Sequence, residues 1–172
     1  KEVESLINLV TIQKMRKDAG LPVNDLSLHM VFSGNPGTGK TMIARLMARI
    51  YKSLGILSKG HLVEVDRSGL VAGYVGQTAI KTGEVIQKAL GGVLFIDEAY
   101  QLAAKHPHDP LKKILPLMLN LLGDEEYRDI AVILAGYEEE MDNLLSLNPG
   151  LRSRFPNRFI FKSFSLEELQ TI

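Results

Sequence analysis

An eight-residue turn, Gly34-Asn35-Pro36-Gly37-Thr38-Gly39-Lys40-Thr41, constrains the fold of this chain more than any other stretch. The apolar residues of 28–32 predict a buried strand before it, and apolar positions in 42–54 recur every three or four residues, as on one helix face. Glycines between a strand and a helix let backbone N–H groups converge on one anion at the positive end of the helix dipole. The turn therefore predicts a phosphate-binding loop; the alternative is a glycine-rich turn that only caps the helix.

The last residues of the turn carry the side chains that a bound nucleotide requires. The Lys40 ammonium can reach the β- and γ-phosphates, and the Thr41 hydroxyl can ligate Mg²⁺. The predicted nucleotide site runs from Gly34 to Met42.

Composition excludes several classes of protein. Twenty basic and twenty acidic residues among 172 cancel, so the chain lacks the electrostatic footprint of a nucleic-acid-binding protein. It contains no cysteine and no apolar stretch of signal or membrane length, which favours a cytoplasmic, reducing compartment and no membrane partner. The length fits one domain. The start at Lys1 and the end within a predicted helix favour a piece of a longer protein.

Strands and helices alternate along the chain. The first strand and the helix after the turn are followed by predicted strands at 61–66, 92–98, 130–135 and 158–161, and by helices at 77–90 and 138–147. An amphipathic helix opens the chain within 1–20, and Pro116 is expected to kink or restart a helix in the least readable segment, 101–129. The alternation predicts an α/β fold with a five-stranded parallel sheet and a ligand at the carboxyl ends of its strands.

The third predicted strand ends in two carboxylates. Asp97 is placed to provide a second metal ligand beside the phosphate turn, and Glu98 is where a base that activates the attacking water would lie. The alternative is that these residues only start a helix, as an N-cap and a first-turn acid.

These motifs together resemble those of AAA+ ATPases, with 34–41 as Walker A, 93–98 as Walker B and 147–155 as the segment that carries Arg152 and Arg154. Four further stretches resemble the group that contains stage V sporulation protein K and the red-type Rubisco activase: 57–62, 74–78, 89–100 and 133–137. Type VII secretion AAA+ ATPases are similar too. The resemblance runs from about residue 28 to residue 168.

The resemblance implies a three-layer α/β/α domain over 1–164 and the start of a helical lid over 165–172, with most of that lid missing from the chain. It implies binding and hydrolysis of ATP with Mg²⁺ at the subunit interfaces of a ring of six, which acts on a protein client. Arg154 resembles the arginine finger that reaches the γ-phosphate of the neighbouring subunit, and Arg152 is the second candidate. A solvated pair of arginines is the alternative for both.

Two further positions follow from the resemblance. Tyr74, Val75 and Gly76 match the pore loop that grips an extended polypeptide, although Tyr74 could instead fold back onto its own loop. At the end of the fourth strand many AAA+ proteins have an Asn or Thr that senses the γ-phosphate. This chain has Gly136 and Tyr137 there, and the Tyr137 hydroxyl could donate the hydrogen bond.

The leading hypothesis is therefore an ATP-driven protein remodeller. The competing hypothesis is a nucleotide-regulated binding module or assembly factor in which hydrolysis is incidental. A nucleic-acid motor finds little support in the neutral charge, and nothing in the chain resembles the second-substrate lid of a small-molecule kinase.

Overall fold

The computed structural model describes residues 8, 11–12, 15, 19–20, 28–35, 39–66, 70, 75–102, 116, 118–120, 129–147 and 149–161. Its centre is a sheet of five parallel strands: β1 Met30–Gly34, β2 Leu62–Val65, β3 Val93–Ile96, β4 Ala131–Gly136 and β5 Asn157–Phe161. The strand order across the sheet is β2-β3-β4-β1-β5. The first strand of the chain is therefore interior, and the phosphate turn leaves the sheet between two neighbours.

Helices connect the strands. They are α1 Lys40–Ser53, α2 Val75–Ala89, the 3-10 helix Ala99–Leu102, α3 Glu138–Leu147 and α4 Pro149–Arg154. The backbone is also helical at Asn8, Thr11, Ile12 and Met15, and at Pro116, Met118, Leu119 and Asn120. Within the described residues, no helix is both long enough and apolar enough to cross a membrane.

The sheet is apolar on both faces, because alternate residues of each central strand enter two different cores. One core holds Phe32, Phe95 and Ile133 against α1. The other holds Leu94 and Val132, together with apolar residues of α2, α3 and α4. Burying each such side chain contributes roughly 1.5–3 kcal/mol. The predicted three-layer α/β/α fold with a five-stranded parallel sheet is confirmed.

The buried face of α1 differs from the predicted one. The prediction put the large apolar residues inward, but Met42 is 74% exposed and Leu46 is 47% exposed. The side chains that pack on the sheet are Ala44, Met47, Ala48 and Tyr51. These four residues are spaced at i, i+3, i+4 and i+7 and so share one helix face, which leaves Met42 and Leu46 outside it.

Three element boundaries also differ from the predicted ones. The strand β3 ends at Ile96, so Asp97 and Glu98 lie in a turn rather than in the strand. The helix α2 begins at Val75, two residues earlier than predicted. Pro149 starts α4 instead of closing the preceding helix, which agrees with the preference of proline for the first helical position.

His29 joins three elements at the amino-terminal end of the sheet. Its Nδ1 accepts a hydrogen bond from the backbone N–H of Val132 at 3.0 Å, and its ring centroid lies 5.2 Å from that of Phe155. Burial lowers the pKa of His29 from 6.5 to about 4. The imidazole is therefore neutral at physiological pH, as its acceptor role requires.

Candidate nucleotide-binding site

A cavity of about 370 Å³ opens where β1, β3 and β4 end. Parallel sheets bind their ligands at this carboxyl edge. The described residues that line it are Gly34, Gly39, Lys40, Thr41, Met42, Phe95, Asp97, Glu98, Gly136 and Tyr137. The structure thus brings together predicted residues from the phosphate turn, the carboxylate pair and the end of the fourth strand.

The amino terminus of α1 faces this cavity with its backbone donors available. Gly39 is the N-cap, with a left-handed φ of 89°, and no side chain in the described region caps the helix. The first turn carries no acidic residue. The first N–H groups of a helix have no partner within it and carry the positive end of its dipole, so this end fits an anion.

Gly34 allows the chain to leave β1 beside β5. Its φ is 151°, and a Cβ at this position would lie 2.4 Å from the carbonyl oxygen of Phe161. The Lys40 ammonium donates a hydrogen bond to the Gly34 carbonyl at 2.6 Å, which holds it over the turn. Burial lowers the pKa of Lys40, while the charges of Asp97 and Glu98 oppose that effect. The ammonium therefore lies within electrostatic reach of both carboxylates.

The carboxylate pair is held by the sheet and by a turn. The Asp97 N–H donates to the Val65 carbonyl at 2.9 Å, so β2 fixes the backbone one residue beyond β3. The Glu98 N–H donates to Oδ1 of Asp97 at 2.9 Å, and Glu98 has a left-handed φ of 51°. That conformation costs a non-glycine residue about 1–2 kcal/mol, and such strain clusters at functional sites. An N-cap side chain accepts a hydrogen bond from the backbone N–H of a residue two or three positions later. The bond from Glu98 to Asp97 joins adjacent residues, so it is not an N-cap bond.

Gly136 and Tyr137 form the wall of the cavity at the end of β4. Tyr137 is 37% exposed and lines the cavity. A Cβ on Gly136 would lie 2.9 Å from Sδ of Met141 and 3.1 Å from Cδ1 of Tyr100. The position predicted for a polar phosphate sensor is therefore filled by neighbouring side chains, and Tyr137 is the polar group exposed beside it.

The two candidate arginines do not line this cavity. Arg152 and Arg154 are exposed in the last turn of α4, and the buried Leu151 anchors that helix. Neither arginine is among the described residues that line the cavity. Both side chains are therefore exposed and lie outside the lining of the chain's own nucleotide site.

Some predicted site residues lie outside the described residues, namely Pro36, Gly37, Thr38 and Tyr74. Asn35 is exposed directly after β1, and Val75 and Gly76 are the first two residues of α2.

Two aromatic residues at the site had no predicted role. Phe95 lines the cavity from β3, and Tyr100 packs behind Gly136. Their positions next to the carboxylate pair were the only signal in the sequence that pointed to them.

A phosphate-binding turn between a parallel strand and a helix, with a carboxylate pair ending a nearby strand, defines the P-loop class of nucleotide-hydrolysing proteins. Residues 30–163 match the ATPase family associated with various cellular activities, abbreviated AAA. The chain belongs to this family. It is therefore a domain of the ATPase type.

Curated relatives agree with this assignment. Stage V sporulation protein K of Bacillus subtilis is 44% identical over 172 residues, which is 100% of this chain and 53% of that protein. The chloroplastic ribulose bisphosphate carboxylase/oxygenase activase of Cyanidioschyzon merolae is 44% identical over 99% of this chain and 55% of its own length. The plasmid CbxX protein of Cupriavidus necator is 43% identical, with 99% and 54% covered. The chain spans about half the length of these relatives.

Proposed function

We propose that the cavity binds ATP with Mg²⁺, that hydrolysis takes place at the boundary between subunits of a ring, and that the ring remodels a protein client. One observation carries the nucleotide-binding part of this proposal: Lys40, Asp97 and Glu98 converge on a single cavity at the amino terminus of a helix. We also propose that residues 1–164 form the nucleotide-binding domain and that a helical lid begins at residue 165.

Each group in the cavity has a distinct role in this proposal. The N–H groups of α1 and the Lys40 ammonium bind the phosphates. The residues present fit Mg²⁺, because the Thr41 hydroxyl and the half-buried Asp97 carboxylate are the hard oxygen ligands that this ion takes beside phosphate oxygens. When bound, Mg²⁺ neutralises charge on the phosphates. The exposed Glu98 carboxylate orients the attacking water and accepts its proton.

A neighbouring subunit completes the site. Arg154 and Arg152 are exposed and do not line the cavity of their own chain, which supports a role across an interface. An arginine finger contributes about 10³ to 10⁵ in kcat, or roughly 4 to 7 kcal/mol. We assign this role to Arg154 and keep Arg152 as the second candidate. A ring of six then hydrolyses ATP far faster than the isolated chain.

The client is a protein in this proposal. The Cyanidioschyzon relative is named an activase of an enzyme, ribulose bisphosphate carboxylase/oxygenase, which supports a protein client for this chain. We propose Tyr74, Val75 and Gly76 as the pore loop, and the position of Val75 and Gly76 at the start of α2 would couple the loop to that helix. Replacing Tyr74 by Ala should then spare ATP hydrolysis and abolish remodelling. Loss of both activities would contradict the pore-loop role.

Mixing two inactive variants tests hydrolysis between subunits. Glu98→Gln has an intact finger and a defective site, whereas Arg154→Ala has an intact site and a defective finger. Mixed rings place the Arg154 of one variant against the Glu98 of the other, so ATPase activity should recover on mixing. Mixing Glu98→Gln with Lys40→Met is the matched control that should stay inactive, because both variants are defective in the site itself.

Absence of recovery with Arg154→Ala, but recovery with Arg152→Ala, would move the finger to Arg152. Absence with both would contradict hydrolysis between subunits.

The second candidate function is a nucleotide-regulated binding module with little hydrolysis. The observation that favours it is Gly136, which leaves the end of β4 without the polar side chain that many AAA+ proteins have there. An ATPase rate per subunit that does not rise with protein concentration would support this module over the ring.

A further inference from the structure

Tyr100 follows the carboxylate pair in the chain, on the 3-10 helix Ala99–Leu102, and the proposed mechanism gives it no role. This helix packs against β4 and α3. The ring centroids of Tyr100 and Tyr137 are 6.4 Å apart, and the rings are tilted by 48°. Aromatic pairs at such separations attract each other by about 0.5–1.5 kcal/mol beyond their burial. Tyr100 therefore packs against Tyr137, a residue that lines the cavity.

Gly136 makes this support possible. A Cβ there would come within 3.1 Å of Cδ1 of Tyr100 and 2.9 Å of Sδ of Met141. Both distances are shorter than ordinary van der Waals contact, so any side chain at residue 136 would displace the ring or the thioether. The tip of β4 thus has an aromatic ring packed against its backbone where a polar side chain would otherwise stand.

The phenol of Tyr100 is influenced by acidic residues of two different elements. Burial and the charges of Glu98 and Glu140 raise its pKa, so the group stays protonated at neutral pH. Glu98 lines the cavity, whereas Glu140 belongs to the first turn of α3. Tyr100 is therefore close to both the carboxylate turn and the helix that follows β4.

We propose that Tyr100 is a positioning residue whose ring holds Tyr137 at the phosphate end of the cavity. The aromatic pair then senses the γ-phosphate, a role that a polar side chain at residue 136 would otherwise have. The inference rests on the proposed function, because it needs ATP in this cavity. ATP and ADP differ by the phosphate that Tyr137 would contact. Tyr100 should therefore affect kcat and the discrimination between the two nucleotides, and leave affinity for ADP unchanged.

The test compares Tyr100→Leu, which removes the ring, with Tyr100→Phe, which keeps it, in the full-length protein. Steady-state ATPase assays give kcat and KM, and calorimetry gives the affinities for ADP and for a slowly hydrolysed ATP analogue. We expect Tyr100→Leu to lower kcat about tenfold, and to lower the preference for the triphosphate by a similar factor, because small misplacements of positioning groups cost about this much or more. Tyr100→Phe should keep most of kcat.

A double-variant cycle shows whether Tyr100 acts through Tyr137. Tyr137→Leu should reproduce the effect of Tyr100→Leu. The double variant should have a kcat no lower than that of the more impaired single variant, because either substitution disrupts the same aromatic pair. Tyr51→Phe is the control for loss of a buried phenol, since Tyr51 packs on the other core and its hydroxyl contacts Sδ of Met30 at 3.9 Å. It should leave kcat unchanged. Thermal unfolding of every variant separates positioning from loss of fold.

Three results would overturn the role of Tyr100: unchanged kcat and discrimination in Tyr100→Leu, equal damage in Tyr100→Phe, or additive effects in the double variant. A wild-type protein that neither binds nor hydrolyses ATP would instead overturn the proposed function itself. The two failures are therefore distinguishable.

Discussion

Acid should destabilise this protein through His29 in a way that a single substitution can isolate. Burial lowers the pKa of His29 to about 4 in the folded chain, from 6.5. Its Nδ1 accepts the Val132 N–H, so a proton at that nitrogen would break the bond. Below pH 6.5 the unfolded chain binds a proton at this residue, whereas the folded chain binds one only near pH 4. The stability from a neutral His29 is therefore complete above pH 6.5 and is lost as the pH falls towards 4.

The gap between the two pKa values corresponds to about 3 kcal/mol of unfolding free energy. Urea unfolding of the wild type and of His29→Asn, from pH 7.5 to pH 4, measures it. The Asn amide oxygen replaces the Nδ1 acceptor but does not titrate. Both proteins contain the same carboxylates, so the effect of carboxylate titration on stability cancels in the difference between them. We expect the stability advantage of the wild type to shrink by about 2 to 3 kcal/mol over this range. An advantage that stays constant with pH would show that folding does not lower the pKa of His29.

Glycine substitutions test the close approaches in the fold. In Gly83→Ala the new Cβ would meet no described atom within 4 Å, so the variant should be more stable by about 0.5–1 kcal/mol in thermal unfolding, and a loss of stability would contradict this. In Gly92→Ala the Cβ would lie 2.2 Å from the carbonyl oxygen of His61, and we expect the free energy of unfolding to fall by about 2–4 kcal/mol. A variant as stable as the wild type would contradict this expectation. Gly34→Ala should weaken binding of a fluorescent ATP analogue about tenfold or more, because a cost of ~1.4 kcal/mol at the Phe161 carbonyl is enough. Unchanged affinity would mean that the turn tolerates a shift of β5.

The sequence predicted the sheet well because its strands are buried on both faces. Stretches such as Val93–Ile96 are continuously apolar, and this pattern is typical of a central parallel strand. The phosphate turn and the carboxylates were predictable for a related reason. Each follows a recognisable strand directly, and the carboxyl ends of parallel strands meet at one edge of the sheet.

The packing of α1 and the aromatic contacts could not be predicted in this way. Hydrophobic periodicity placed Met42 and Leu46 on the buried face of α1, whereas the face that packs on the sheet consists of Ala44, Met47, Ala48 and Tyr51. The pairing of Tyr100 with the end of β4 depends on a tertiary contact between distant segments. No local pattern encodes such a contact.

The central claim is that this cavity binds ATP and that Glu98 activates the water that attacks it. The most direct measurement is calorimetric ATP binding and steady-state turnover for the wild type, Glu98→Gln and Lys40→Met of the full-length protein. We expect Glu98→Gln to bind ATP as tightly as the wild type and to turn it over at least ~10²-fold more slowly, whereas Lys40→Met should bind ATP weakly. Wild-type turnover in Glu98→Gln would exclude the role of Glu98, and no detectable ATP binding by the wild type would exclude this cavity as an ATP site.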